Sequence, residues 1–573
     1  MAVELDAAML NPLAVPQTTL DEAVRVVWTN RNTWATLALR ERITLLDELC
    51  RDVQNVAGCW VAASLSAKGL PANSFGEGEE WLALATVYRQ LRLLRQALGE
   101  IERQGTPRLP GPITTRPDGQ AVVRVFSQNG LDRIMLPGVR ADVWLEPGIE
   151  PMEVAHKQAA FYRGQPAPGK VVLVLGAGNN AALVPGDFLY KLFVEGKVVV
   201  LKPNPANAYL GPLIEQGFRA LVQRGFLQVV YGGAEVGQYL CRRPAIDEVH
   251  MTGSRHTYEA VVFGSDHEKR PGRVVGSPRL EKPVTAELGN ITPVIVVPGP
   301  WSDHDIDIQA KKLASWLVFN SAFACLTPRV IIQAKGWAKR EPLNQAIGRV
   351  LSQVNTRRAY YPGAVAIYHQ FIAAHPEARC YGTAGPEHLP WTVVPDVDPD
   401  NAADICFQQE PFCSLLAEMA LAADNPADYL DRAVAFANES LWGTLIAAIV
   451  IHPQSLKDPA VAAALDRAVA NLRYGSVVIN QAPGFAYFLM VTPWGSFPGN
   501  TPNNIQSGVG VVNNVLMLPR PQKAVIRGPF KTWPDPFVVT FRHGCKFFKD
   551  FANFQAQPSL WSLPGLFWTA ARK

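Results

Sequence analysis

The chain has 573 residues, 48% of them hydrophobic and 18% charged, with a formal net charge of +4. That length implies two to four packed units around a large core. The small, dispersed charge carries no electrostatic footprint of nucleic-acid binding. No apolar run approaches the ~18 residues that a membrane span requires. The start, MAVELDAAMLNPLAV, lacks the basic segment and following apolar segment of a secretion signal. The eight cysteines form neither a CxxC pair nor a Cys/His spacing suited to zinc. A reduced cytoplasmic protein without a metal is therefore expected.

In chain order, residues from about Thr19 to Arg103 read as helices. LALRERITLLDELCRDV places apolar residues at helical spacing, and Trp81–Ile101 repeats the pattern. Ala121–Phe126, Asp132–Leu136 and Ala141–Leu145 read as short strands separated by Asn-Gly and Pro-Gly turns. The clearest alternation follows. Lys170–Leu175 (KVVLVL), Lys197–Leu201, Leu227–Tyr231 and Glu248–Met251 read as strands, separated by helices through Phe193, over about Leu210–Arg224, and after Gly232-Gly233. Continuous apolar strands alternating with helices indicate a parallel sheet covered on both faces, with a nucleotide-sized crevice at the strand ends. His267–Lys282 is a polar loop. A second α/β region begins near Val294–Val297 and runs to about Asn480. A Gly/Pro/Asn-rich stretch and an aromatic tail, Phe537–Trp568, close the chain.

The chemistry-bearing motifs fall at strand ends. Gly176–Asn180 is a glycine-rich turn able to present backbone N–H groups to a phosphate. Lys202 leaves a strand, Thr252-Gly253-Ser254 follows another, and Glu287-Leu288-Gly289-Asn290 sets a carboxylate beside a turn. Cys325 lies in NSAFACLTPR, and Glu410-Pro411-Phe412 comes later. Each is ordinary alone: the glycines can serve a turn, the lysine a solvated strand end, the carboxylate a cap, Phe412 the core, and a cysteine a small buried hydrophobe. Their order is not ordinary.

That ordered set resembles the aldehyde dehydrogenase superfamily from about Thr19 to Trp494, most specifically from Lys170 to Arg329. Val229–Ser254 is similar to the family's strand, Gly-rich turn, helix and Thr-Gly-Ser segment. NSAFACLTP resembles its nucleophile loop, and Glu410–Phe412 its Glu-x-Phe. The resemblance implies an α/β fold with two Rossmann-like parallel-sheet domains and a small β oligomerisation element. It places a discontinuous NAD(P)-binding domain at 1–119 and 147–286, the β element at 120–146, a catalytic domain at 287–480, and a C-terminal extension at 481–573 that closes the site or joins subunits.

The resemblance also assigns roles. Hydride does not readily leave a planar carbonyl carbon, so Cys325 adds to the aldehyde and a thioester remains after hydride transfer. Asn179, with Asn180 as the fallback, supplies the oxyanion donor together with the backbone N–H of Cys325. Glu287 activates water to release an acid. Lys202, Gly253, Ser254, Glu410 and Phe412 hold NAD or NADP. Pro205 stands where the family often carries an acid that grips the ribose hydroxyls, which removes a repulsion against a 2′-phosphate. Cys406 and Cys413 flank the Glu410 motif without an assigned role.

Three departures stand out: Gly-Ala-Gly-Asn-Asn for the usual Pro-Trp-Asn turn, Asn290 for a glycine, and Ala322-Phe323 for Gly-Gln. They leave two alternatives open. One is an acyl-CoA or acyl-thioester reductase, in which a thiol replaces water. The other is a catalytically silent scaffold. The expected partners are a small-molecule aldehyde and other copies of the chain in a homodimer or homotetramer. The aromatic tail packs in the core, covers a subunit, gates a tunnel or touches a membrane surface.

Overall fold

The computed structural model describes residues 15–165, 167–266, 269–270 and 273–572. The first fourteen residues, which carry most of the stretch inspected for a secretion signal, lie outside it, as do 267–268 and 271–272 of the polar loop.

Three helices open the described chain: Gln17–Thr36, Leu39–Lys68 and Phe75–Gln104. Their ends follow from local chemistry. Gly69 adopts a left-handed φ of 64° that terminates the second helix, and the Ser74 hydroxyl accepts the Glu77 N–H at 3.2 Å to start the third. The second and third helices pack against one another through residues such as Leu45, Leu49, Leu84, Leu91 and Leu94, all at most 1% exposed.

A six-stranded sheet runs in the order Gly508–Val509, Val284–Glu287, Glu248–Thr252, Val171–Leu175, Val198–Lys202, Leu227–Val229. All neighbours are parallel except the Gly508–Val509 edge. Val171–Val174 and Val198–Leu201 are fully buried, as a sheet covered on both faces demands. The expected helix over Leu210–Arg224 is broken at Phe218 into Gly211–Gly217 and Arg219–Gln223.

An eleven-stranded sheet forms the second α/β unit. Its parallel interior runs Pro521–Arg527, Ser476–Ile479, Ile446–Val450, Thr292–Val296, Pro328–Ala334, Leu415–Leu421, Trp391–Val394. The strands Ala121–Phe126 and Arg140–Leu145 join this sheet antiparallel through Pro521–Arg527. Residues 481–573, expected as an extension, thus supply an interior strand that ties the β element to the larger sheet.

One expected strand is corrected. Asp132–Leu136 lies in a helix, Gly130–Met135. Asn129 Oδ1 accepts the Asp132 N–H at 3.0 Å, and the Asp132 carboxylate accepts the Gln128 N–H and pairs with buried Arg89 at 3.0 Å. These caps outweigh the apolar alternation that suggested a strand. The aromatic tail divides in two. Phe547, Phe548 and Phe551 on the helix Gly544–Ala556 are buried, and that helix packs on Phe75–Gln104. Leu560, Trp561 and Trp568 are exposed.

Candidate active site

The strands of the smaller sheet deliver their C-terminal residues to one side. Glu287 ends its strand, aligned with Thr252 on one neighbour and Gly508 on the other. The Gly253 N–H donates to the Glu287 carbonyl at 3.0 Å, fixing the Thr-Gly-Ser turn against the carboxylate's own backbone.

Cys325 arrives from the larger unit. The helix Asp303–Val318 gives way to a tight turn, Phe319–Ala322, in which Asn320, Ser321 and Ala322 have φ of 50°, 58° and 66°. Three successive non-glycine residues in the left-handed region cost about 1–3 kcal/mol each and persist only when the surroundings hold them. Here Asn320 does the holding. Its N–H donates to Glu79 at 3.2 Å, and its Oδ1 accepts from Lys68 at 3.0 Å and Tyr360 at 3.2 Å. Its Nδ2 donates to the carbonyls of Asn179 and Phe323 at 2.8 and 2.7 Å. Buried ion pairs Lys68–Glu80 and Arg357–Glu79, each at 2.6 Å, complete the base of the loop. On the other side Arg329 donates to the carbonyls of Ala322 and Cys413 at 2.7 and 2.8 Å.

Two cavities meet at Cys325, and both are also lined by Asn179 and Leu183. The first, about 640 Å³, is lined by Gly178, Thr252, Gly253, Ser254, Glu287, Gly289, Glu410, Phe412 and Trp442, among others. Its size falls in the range of small-molecule and cofactor sites. The second, about 120 Å³, is an apolar tunnel walled by Leu82, Ala83, Trp316, Phe485, Phe488, Trp494, Phe537 and Phe548, with others. The geometry thus brings Cys325, Glu287, Asn179, Gly253, Ser254, Glu410 and Phe412 around one volume. Lys202 is not on that wall. It is buried at its strand end, where desolvation lowers its pKa and exposed Glu235 opposes the shift.

Asn179 Nδ2 donates one hydrogen to the Phe323 carbonyl at 3.0 Å and carries a second. Asn180 caps its own turn by accepting the Ala182 N–H at 2.9 Å and lines only the tunnel. The position shared by both cavities is therefore Asn179.

The electrostatics follow from burial. Desolvation pushes the Cys325 thiol well up, and the neighbouring Glu287 and Glu410 carboxylates add to the rise. Burial likewise raises Glu287 to about 7; Cys325 and Trp494 pull it down, while Asp187 pushes it up. Glu410 is raised to about 8 by burial, against the pull of Arg329. One oxygen of each carboxylate, Glu287 Oε2 and Glu410 Oε1, is buried without a hydrogen-bond partner. Such atoms are costly unless a ligand or water meets them. Gly289 makes room for the second of these groups, since a Cβ there would lie 1.9 Å from Glu410 Oε2.

The departures from the family pattern have structural uses. Asn290 donates to the Ile446 carbonyl at 2.8 Å and accepts the Leu445 N–H, stitching the Glu287 turn to the larger sheet. Phe323 packs its ring 4.9 Å from Tyr360 and 5.8 Å from Phe412. Phe412 therefore both joins an aromatic cluster and faces the polar cavity. Sequence reasoning missed Trp442, Tyr361 and Trp494 on the cavity walls, and Tyr487, whose buried hydroxyl has no partner. One signal for Tyr487 was available: Gly186 sits inside a helix, where a Cβ would meet the Tyr487 hydroxyl at 2.2 Å.

Comparison with known proteins finds similarity to aldehyde dehydrogenases. Residues 145–353 match the Aldehyde dehydrogenase family, a span that includes Asn179, Lys202, Glu287 and Cys325. N-succinylglutamate 5-semialdehyde dehydrogenase of Novosphingobium aromaticivorans is 28% identical over 166 residues, 29% of this chain and 32% of that protein. The chain thus spans about a third of the length of the curated relatives it matches. Among solved structures, NADP-dependent glyceraldehyde-3-phosphate dehydrogenase from Bacillus halodurans, complexed with NADP, superposes with a TM-score of 0.60 at 19% identity, covering 90% of this chain and 92% of that one. A mutant of aldehyde dehydrogenase C from Pseudomonas syringae, complexed with NAD+ and octanal, gives 0.60 at 15% identity, covering 90% and 89%. Residues 145–353, which carry the Cys325 loop, are thus similar to the Aldehyde dehydrogenase family, and the chain shares the fold of these solved structures along nine-tenths of its length.

Proposed function

We propose that the chain is an NAD(P)-dependent aldehyde dehydrogenase that oxidises an apolar aldehyde to the carboxylic acid. The single observation that carries this reading is the position of Cys325 at the neck between a polar cavity and an apolar tunnel, with Glu287 on the same wall. A thiol placed there faces a hydride acceptor from one side and an alkyl or aryl aldehyde from the other.

In this reading Cys325 Sγ adds to the carbonyl carbon, and the proton it loses passes to the neighbouring Glu287. The oxyanion is met by the second Asn179 amide hydrogen and the Cys325 backbone N–H. A bound NAD(P) would supply the hydride acceptor. Gly253, Ser254, Glu410 and Phe412 would hold it in the polar cavity, with Glu410 Oε1 available to a ribose hydroxyl, and Lys202 would act further out toward the adenosine end. Glu287, with a pKa of about 7, releases the Cys325 proton to solvent and, as the carboxylate, is poised to remove a proton from water as that water attacks the thioester. This favours water over a thiol as the acyl acceptor. The helices Phe75–Gln104 and Gly544–Ala556 wall the tunnel's far side, so the substrate's tail is read by them rather than by the sheets.

The test is reduction of NAD or NADP by the purified chain and its Cys325→Ala variant across short and long aldehydes, with and without coenzyme A. Cys325-dependent reduction yielding free acid supports the reading. No Cys325-dependent reduction across the panel overturns it, and formation of acyl-CoA with rate stimulation would transfer it to the thioester-reductase class.

A further inference from the structure

Behind the wall that carries Glu410, three side chains converge outside the site just described. His375 follows the helix Ala364–Ala374, and Asp404 and Cys406 flank the start of the turn Ile405–Gln408. His375 Nε2 lies 3.1 Å from Asp404 Oδ1 and 3.5 Å from Cys406 Sγ, and the three ligand atoms all lie within 4.8 Å of one another. Tetrahedral zinc with bonds of about 2.0–2.1 Å to N and O and about 2.3 Å to S separates its ligands by about 3.3 Å for N–O and about 3.5 Å for N–S. The His375–Asp404 and His375–Cys406 spacings already lie close to those values.

Two further features suit a cation. Glu377 Oε1 lies 2.9 Å from His375 Nδ1, the carboxylate–histidine arrangement that orients a ligating imidazole and raises its basicity. The site is also shielded without being sealed. Cys406 is 2% exposed, whereas the His375 and Asp404 side chains keep about a tenth of their surface open to solvent. The sequence hid this cluster, because 28 residues separate His375 from Asp404 with no zinc-type spacing between them.

We propose that His375, Asp404 and Cys406 bind a zinc ion, with Glu377 orienting the histidine and the fourth position left to water. The mixed N/O/S donor set suits zinc over magnesium or calcium, which take oxygen alone. The ion joins two walls of the polar cavity. Ala364 and Ile367 line it from the helix that leads to His375, and Gln408, Gln409 and Glu410 line it from the turn that follows Cys406. Zinc binding thus braces the carboxylate assigned above to the ribose, although the site itself stands whether or not that assignment holds.

The experiment uses the full chain carrying Cys325→Ala, which removes the other candidate thiolate of the active site. Cobalt(II) added to the metal-free protein is expected to give a near-ultraviolet thiolate-to-metal band that saturates at one ion per chain and is displaced by zinc. Cys406→Ser, a near-isosteric change, should abolish the band, and His375→Gln should weaken cobalt binding at least about 100-fold. Glu377→Gln should weaken it about 10-fold, as loss of an orienting partner does. Zinc should raise the melting temperature of the Cys325→Ala protein and leave that of the protein also carrying Cys406→Ser unmoved, which separates loss of the site from loss of the fold. A band that survives Cys406→Ser, or no saturable band in the Cys325→Ala protein, overturns the proposal.

Discussion

The two cavities that meet at Cys325 are built on opposite principles. The polar one is built largely at strand ends, where backbone turns such as Thr252-Gly253-Ser254 and carboxylates such as Glu287 are fixed by the sheet itself. The tunnel is assembled between helices and the aromatic C-terminal segment, from side chains with almost no polar content. Strand ends tolerate little change, because moving one shifts a whole ladder. A helix face can be re-lined one residue at a time. Under the proposed function, the contrast assigns reaction chemistry to the rigid side of Cys325 and substrate choice to the adaptable side.

Substitutions on either side should separate the two roles. Cys325→Ala, at the junction, should lower aldehyde-dependent cofactor reduction by about 10³-fold or more while leaving dinucleotide binding detectable by nucleotide fluorescence. Glu287→Gln should lower turnover by about 10²–10⁴-fold, with an acyl-enzyme trapped at Cys325 and visible by intact mass. In the unsubstituted protein, turnover limited by thioester hydrolysis should rise with pH through about 7, since the raised Glu287 must lose its proton to act as a base. On the tunnel side, Ala83→Leu should raise KM for an eight-carbon aldehyde about 10-fold and that for a two-carbon aldehyde less than about 2-fold. On the polar side, Glu410→Ala should raise KM for the dinucleotide about 10-fold with the aldehyde KM nearly unchanged. Equal shifts in both KM values for either variant would dissolve the division between the cavities.

The smallest expected effect is on stability. Glu287 has a folded pKa of about 7 against an ordinary 4.5, so the native state retains a proton that the unfolded chain has released. Folding stability therefore falls as pH rises from 4.5 to about 7. Glu287→Gln removes this loss, on the order of 1–3 kcal/mol. The variant should melt a few degrees higher than the parent at pH 8 and show no such gain below pH 4.5 in thermal denaturation.

The fold was legible where hydrophobic period and chain order agreed. Val171–Leu175 and Val198–Lys202 were readable because parallel strands buried on both faces are apolar throughout. Asp132–Leu136 was misread because its fate depends on a cap at Asn129 and a buried partner at Arg89, and the latter lies 43 residues away. The sequential order of the motifs pointed to a shared location, and every motif but Lys202 contributes residues to the wall of the polar cavity. The tunnel was not, because its walls come from residues as distant as Leu82, Trp316 and Phe548 and carry no local signature. Phe323 stood out in the sequence only as part of a departure from Gly-Gln, and only the rings of Tyr360 and Phe412 show what it packs against.

The grip on Asn320 has a consequence for how the molecule fails. Its side chain ties a turn of three left-handed residues to Lys68 at the end of one N-terminal helix and, through its backbone N–H, to Glu79 near the start of the next. The position of Cys325 is thus a readout of whether those helices are docked. Partial undocking would let the turn relax toward ordinary backbone angles while both sheets stayed intact. Activity should then fade ahead of the bulk melting transition, making inactivation a local event at the helix contacts rather than a symptom of general collapse.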